Sequence, residues 1–320
     1  MKKKSVVVLC SVLGVLLVLG VVIGLGVTLP VAPELDNSQS NNVVAEIYIE
    51  NKTVPYMKVS RADFEKLFSY RGDNIFKNDI YLQSVDIRIE ILDNIKVGET
   101  ELALYVGAGK EIELNGNGYA IVGNRSNDPI FRFRSLSRGG DFEINDLRLK
   151  NEKASCFSAY NEVTLDVNRC IFEAPNHKAA VLTDSCVVNL NDGTYLSGVM
   201  GIYSESSQKN SVNVAAEAAI FGSESAVHIK NGNSFEMNIH GVVKTLFPNG
   251  ACISILNALG DINISVDGGY LRGDIVSSTT ANLNFSTGKL YGSIVSDTVT
   301  VNVGEDFIIE PYEAETTEVA

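Results

Sequence analysis

Six asparagines recur along the second half of the chain at intervals of 18 to 25 residues. Each lies between two apolar side chains, so in a strand its amide points away from the apolar face. An amide offers two donor hydrogens and an acceptor oxygen, which suit a neighbouring amide or the hydroxyls of a sugar. The spacing favours a structural ladder of stacked amides, with carbohydrate binding as the alternative, at Asn189, Asn213, Asn238, Asn263, Asn284 and Asn302.

A second candidate for chemistry is the charged group Asp267, Arg272 and Asp274. Carboxylates beside a guanidinium could hold calcium and stabilise the carbanion of a lyase reaction. Hydrolysis of a glycosidic bond would instead require two carboxyl groups placed across that bond. The sequence favours a solvated turn with a surface ion pair. We therefore predict no catalytic residue, no metal and no cofactor, and we keep these three residues as an alternative catalytic or calcium site.

A repeat in the sequence predicts the strands that carry these residues. An apolar–polar–apolar triplet occurs nine times, and each period holds two further apolar patches with Gly or polar residues between them. Three short strands per period describe one coil of a parallel β-helix, in which stacked coils close a continuous apolar core. The middle residues of the triplets are Glu113, Glu143, Asp166, Asn189, Asn213, Asn238, Asn263, Asn284 and Asn302.

Two other architectures fit the repeat less well. A helical solenoid requires a period of 3.6 residues over long runs, whereas these segments alternate with a period of two. A β-sandwich could use similar strands, but it would not explain three patches in the same order in every period. The fold class is therefore predicted as all-β, with a right-handed parallel β-helix, a small N-terminal α/β cap and one preceding transmembrane helix.

From about Ile89 to Ile309 the repeat resembles the right-handed parallel β-helix proteins of the pectate-lyase-like superfamily, in particular their noncatalytic, adhesin-like members. The segment KEIELNGNGYAIVG resembles the entry coil of such domains. Catalytic polygalacturonase-like members carry Asp-Asp and Gly-His-Gly motifs, and neither occurs in this chain, whose histidines are His177, His228 and His240. The resemblance implies a fold more strongly than an activity.

The N-terminal segment indicates a membrane anchor. Three lysines, Lys2 to Lys4, precede a stretch without charged residues from Ser5 to Pro33. Residues 5–29 are long enough to cross a bilayer as a helix, and the lysines would keep the N-terminus in the cytoplasm. We expect the remainder outside the cell, or secreted if the segment is a cleaved signal. The net charge of −13 argues against nucleic acid as a partner.

The predicted order along the chain is a cytoplasmic end (1–4), the anchor or signal (5–29), a linker (30–45), the N-terminal cap (46–106), the parallel β-helix (107–310) and an acidic tail (311–320). The favoured function is noncatalytic adhesion, or contact with a glycan or other ligand at a cell surface. A polysaccharide lyase or glycoside hydrolase that acts on an extracellular polymer is the alternative, and a structural spacer is a further one. The expected partners are the membrane, through 5–29, and a carbohydrate or cell-surface molecule.

Overall fold

The computed structural model describes residues 42–98, 100–124, 128–206, 208–231, 234–247 and 250–311. Within them the chain is an all-β parallel solenoid of the right-handed type with few helices, which confirms the predicted stacking of coils. The helices among these residues are α1 Arg61–Leu67, α2 Ile75–Asn78 and a short 3-10 helix, Leu82–Ser84.

The N-terminal cap is built from antiparallel strands and these helices. Strand β1, Val43–Ile49, pairs with β2, Met57–Ser60, on one side and with the first coil on the other. Ser60 caps α1 by accepting a hydrogen bond from the backbone N–H of Asp63 at 3.2 Å, as expected for an N-cap serine. The buried ring of Phe64 stacks on Phe68 with centroids 4.6 Å apart. The cap therefore covers an edge that would otherwise be unpaired.

The coils follow the cap, and their strands pair in parallel with the strands one coil earlier and one coil later. In chain order the strands are β3 Ile87–Ile91, β4 Ile95–Val97, β5 Leu102–Val106, β6 Glu111–Asn115, β7 Ala120–Gly123, β8 Phe131–Ser135, β9 Gly140–Asn145, β10 Arg148–Asn151, β11 Phe157–Tyr160, β12 Val163–Asn168, β13 Ile171–Leu182, β14 Val187–Leu190, β15 Tyr195–Ser204, β16 Lys209–Val214, β17 Ala219–Lys230, β18 Ser234–Ile239, β19 Val242–Thr245, β20 Ala251–Leu256, β21 Asp261–Arg272, β22 Asp274–Ser277, β23 Ala281–Tyr291, β24 Ile294–Val295 and β25 Val299–Glu310.

The strands form three lateral faces, which we call the first, second and third sheets. The first contains β3, β6, β9, β12, β14, β16, β18 and the first parts of β21, β23 and β25. The second contains β4, β7, β10, β19, the first parts of β13, β15 and β17, and the second parts of β21, β23 and β25. The third contains β5, β8, β11, β20, β22, β24 and the second parts of β13, β15 and β17.

The core lies between the sheets, where alternate residues of each strand point inward. One inward column of the first sheet passes from Leu165 through Val188 and Val212 to Met237 and Ile264, and all five side chains are buried. Because like residues lie above like in successive coils, the apolar contacts continue along the whole stack.

The parallel pairing begins at Ile87, which lies opposite Ile112 of the next coil. Residues 87–106, which the sequence analysis placed in the cap, therefore form the first coil of the stack. The alternating pattern of β3 resembles that of the cap strand β1, and only the pairing partner distinguishes the two. In the part of the chain that the structure describes, no helix has the length and apolar character needed to span a membrane. The predicted segment 5–29 lies outside the described residues and stays a prediction.

Candidate functional site

The predicted amide ladder forms on the outer face of the first sheet. Asn213 donates from Nδ2 to Asn189 Oδ1 at 2.7 Å, and Asn238 donates to Asn213 Oδ1 at 2.8 Å. Asn189 in turn donates to the Asp166 carboxylate at 2.6 Å. Asn302 repeats the pattern on Asn284 at 2.8 Å. These amides satisfy one another from coil to coil, so much of their capacity to bind a ligand is already used.

The register differs from the prediction at Asn263. Met237 lies opposite Ile264, so Ser265 rather than Asn263 occupies the ladder position between Asn238 and Asn284. Asn263 lies two residues before Ser265 on the same outer face, where its Oδ1 accepts a hydrogen bond from Asn282 Nδ2 at 3.0 Å. A shift of two residues leaves the same side chains inward, so hydrophobic alternation cannot distinguish the two registers.

A second amide ladder, which the sequence analysis missed, runs beside the first. Asn145, Asn168 and Asn191 each donate to the asparagine one coil earlier, at 3.0, 2.8 and 2.8 Å. The ladder starts at Asn115, which donates to Glu90 at 3.1 Å. The signal for it was present, because each of these asparagines follows a triplet middle residue by two positions.

The charged group on β21 and β22 supports coil corners. Asp267 Oδ1 accepts a hydrogen bond from Thr287 Oγ1 at 2.8 Å, and Asp274 Oδ1 accepts one from the Ser293 backbone N–H at 2.8 Å. Arg272 lies in the second sheet between Lys244 and Tyr291 of the adjacent coils. No group of three or more His, Cys, Asp or Glu residues suitable for a metal occurs among the described residues. Each of the two carboxylates thus has a structural partner in the next coil.

The outer face of the third sheet carries a cluster of cations and aromatic rings. Arg132 on β8 forms an ion pair with the buried Glu101 and lies 3.5 Å from an Asp128 carboxylate oxygen. Its Nη1 donates to the Tyr160 hydroxyl at 2.7 Å, and the guanidinium lies over the rings of Tyr70 and Tyr160 at 4.7 and 5.2 Å from their centroids. Two carboxylates and two rings therefore fix this guanidinium in place.

The cluster continues two coils further on. The Lys178 ammonium lies 3.3 Å from the centroid of the Tyr203 ring, which stacks on His228 with centroids 5.5 Å apart. Burial is the main cause that lowers the pKa of Lys178. Burial is also the largest cause that lowers the pKa of His228, and the charges of Lys178 and Lys230 add to the effect. Tyr203 donates its hydroxyl to Glu205 at 2.5 Å. His228 points outward from the third sheet, opposite Ser254, but these neighbours leave it only 9% exposed.

A cleft of about 300 Å³ lies between these two groups. We call it the third-sheet cleft, and its lining includes Arg132, Ser158, Tyr160, His177 and Lys178. Arg132 and Ser158 lie opposite each other in the ladder of β8 and β11, so both project from the outer face. Ligand pockets start at about 300 Å³, and the cleft has that size.

Ser158 is the unusual residue of this cleft. It is only 2% exposed, and its hydroxyl has no hydrogen-bond partner among the described residues. Buried hydroxyl groups nearly always have a partner, because an unpaired one costs about 1–3 kcal/mol. A buried hydroxyl that lines a cleft and has no protein partner indicates a position where a ligand supplies the partner.

A second, larger cleft adjoins the cluster near the cap. Its volume is about 500 Å³, and its lining includes Tyr70, Lys77, Tyr105 and Arg134. Arg134 Nη1 donates to the Tyr70 hydroxyl at 3.0 Å, and burial is the main cause that raises the pKa of Tyr105. Tyr70 of this cleft contacts Arg132 of the third-sheet cleft, so the two clefts meet at this pair. Arg134 also lies over the Tyr70 ring, and cationic and aromatic side chains therefore extend over several coils.

Comparisons with protein-family models, with curated proteins and with solved structures find no match to this chain. The fold and the third-sheet cleft therefore carry the functional argument by themselves. The likeness to the pectate-lyase-like superfamily stays a prediction.

Proposed function

We propose that this chain is a noncatalytic ligand-binding solenoid, displayed outside a membrane, that contacts a carbohydrate through the third-sheet cleft. The observation that carries the proposal is the buried, unpartnered hydroxyl of Ser158 in a cleft that also presents the Tyr160 hydroxyl and ring. Sugars offer hydroxyls for such polar groups and apolar ring faces for aromatic side chains. A rigid stack of coils holds these groups in place without a ligand.

This proposal moves the candidate contact from the first sheet to the third. The amides of Asn189, Asn213 and Asn238 already bind each other, whereas Ser158 has no partner among the described residues. The alternative of a lyase or hydrolase loses support because Asp267 and Asp274 are engaged at coil corners. The amide face remains a prediction that the same experiment tests.

The experiment is a binding screen of the full-length protein in detergent micelles against a panel of neutral and acidic glycans. Ser158→Ala should weaken the binding of any ligand of the third-sheet cleft. Ser254→Ala is the matched control, because Ser254 lies in the same outward column of the third sheet, opposite His228 and remote from the cleft. Binding that survives Ser158→Ala but is lost in Asn213→Ala would move the site to the amide face.

Two further measurements test the rest of the proposal. Release of reducing or unsaturated sugar from the same glycans, with and without calcium, should not rise above the level without protein. Cleavage that Asp274→Asn abolishes in a folded protein would replace the proposal with an enzyme. Protease added to intact cells should remove residues 42–311 and leave 5–29 protected, and recovery of the intact chain from the cytosol would contradict external display.

A further inference from the structure

We propose that the third-sheet cleft is an oxyanion site, which takes a carboxylate or sulfate group of its ligand at the Ser158 and Tyr160 hydroxyls and the Lys178 ammonium. The inference rests on the proposed function, because it specifies which chemical group the same cleft recognises. Three observations support it: the charge of the lining, the balance of donors and acceptors, and the state of Lys178.

The charge of the lining is opposite to that of the whole protein. The chain has a net charge of −13, yet among the described residues the cleft is lined by Arg132 and Lys178 and by no carboxylate. A cleft of about 270 Å³ near the cap on the first sheet shows the reverse, since its lining includes Glu50, Asp86, Glu111, Glu113 and Glu143. The cationic lining is therefore a local feature, and because Glu101 and Asp128 compensate Arg132, the attraction for an anion comes mainly from Lys178.

The lining offers mainly hydrogen-bond donors. Arg132 and Lys178 have donors and no acceptor. The Tyr160 oxygen already accepts from Arg132 Nη1, which leaves its own hydrogen for another acceptor. The Ser158 hydroxyl has neither donor nor acceptor partner among the described residues. An oxyanion is a pure acceptor, so it matches this set better than a neutral hydroxyl, which also brings a hydrogen that needs an acceptor.

The two cations play different roles. Arg132 is held by Glu101 and Asp128, so its charge is compensated and it positions Tyr160. Lys178 is half-buried over the Tyr203 ring, and it forms no ion pair with a carboxylate of the described residues. Burial lowers its pKa, with Lys230 adding to the effect and Glu205 opposing it. An anion in the cleft would supply the compensation that Lys178 lacks.

The test uses the full-length protein in detergent and pairs of ligands that differ in one group. Isothermal titration calorimetry compares glucose with glucuronate and with glucose 6-sulfate. We expect each anion to bind at least about tenfold more tightly than glucose, because one charge-assisted contact provides about that factor. Comparison of the carboxylate and the sulfate ester identifies which oxyanion the cleft prefers.

The variants locate the contact. Lys178→Met keeps the length of the side chain and should reduce the preference for the anion at least about fivefold, and Lys178→Arg should restore it. Lys58→Met is the control for the change in net charge, because Lys58 lies on β2 of the cap with a side chain that is 61% exposed. Ser158→Ala should weaken binding of the anion, and Ser254→Ala should leave it unchanged.

The outcomes separate this inference from the proposed function. If glucose and glucuronate bind equally well and Ser158→Ala weakens both, the cleft binds sugar but the oxyanion inference is overturned. The inference also fails if Lys58→Met weakens anion binding as much as Lys178→Met, since the effect then comes from net charge. Absence of binding for every ligand, including the neutral ones, would contradict both proposals.

Discussion

Replacement of Ser158 by alanine should stabilise the protein while it weakens ligand binding. The hydroxyl is buried and unpartnered among the described residues, so folding removes it from water without a compensating hydrogen bond. An unsatisfied hydroxyl of this kind costs about 1–3 kcal/mol. Loss of its packing contacts offsets part of the gain, and we expect a net increase in the free energy of unfolding of about 1 kcal/mol.

Thermal unfolding of the ligand-free full-length protein, followed by circular dichroism, measures this change. For a domain of this size an increase of about 1 kcal/mol raises Tm by about 2–4 °C. Ser254→Ala should leave Tm nearly unchanged, because substitutions at partly exposed sites without special contacts usually stay within about 0.5 kcal/mol. A Ser158→Ala protein that unfolds several degrees below the wild type would show that the hydroxyl makes a stabilising hydrogen bond, and the argument for a ligand position would fail.

Three further predictions concern the core, the thiols and the cation of the cleft. Ile264→Asp should lower the free energy of unfolding by several kcal/mol because it buries an unpaired carboxylate. Asn263→Asp keeps the acceptor oxygen used by Asn282 and should cost far less. Equal shifts in the urea midpoint of the two variants would refute the assignment of inward and outward residues on this strand. Burial raises the pKa of Cys170 and Cys186 to about 12, so neither thiol should react with Ellman's reagent at pH 8 before the protein unfolds. Rapid labelling of the native protein would contradict their burial. Anion affinity should be greatest while Lys178 is protonated, and it should fall as the pH rises through the pKa of this lysine. Burial places that pKa below the usual 10.5. An affinity that stays constant up to pH 11 would exclude Lys178 as the cation.

The charged and titratable groups around Lys178 lie on several strands, and they determine the shape of that pH profile. Glu205 favours the protonated lysine, and Lys230 opposes it. Burial and the hydrogen bond to Glu205 raise the pKa of Tyr203, so this hydroxyl stays neutral over the range measured. These groups are Arg132 on β8, Tyr160 on β11, His177 on β13, Tyr203 on β15, Glu205 directly after β15, and Glu224, His228 and Lys230 on β17.

The coil could be predicted from the sequence because inward residues repeat with a period of two and recur in every coil. Val188, Val212 and Met237 fall in one buried column for this reason. The register of β21 could not be predicted, since Ile262 and Ile264 are both inward and either one fits opposite Met237. Alternation determines which face a residue occupies, but it does not determine which residue of the next coil it meets.

The third-sheet cleft could not be predicted because it combines residues from three coils. Ser158 follows Arg132 by 26 residues and Lys178 follows Ser158 by 20, and no short motif joins them. Their outward positions indicate solvent exposure, yet neighbouring coils leave Ser158 only 2% exposed. How deeply a side chain on an outer face is buried depends on the size of the side chains in the adjacent coils. The alternation of apolar and polar residues along one strand does not encode that size.

The position of a bound ligand decides whether the third-sheet cleft is the binding site. A crystal structure of the full-length protein with glucuronate should show the ligand in the third-sheet cleft, with a carboxylate oxygen about 2.6–3.0 Å from Ser158 Oγ and another oxygen near the Lys178 ammonium. Ligand density along the amides of the first sheet, or beside Asp267 and Asp274, with the third-sheet cleft empty, would contradict it.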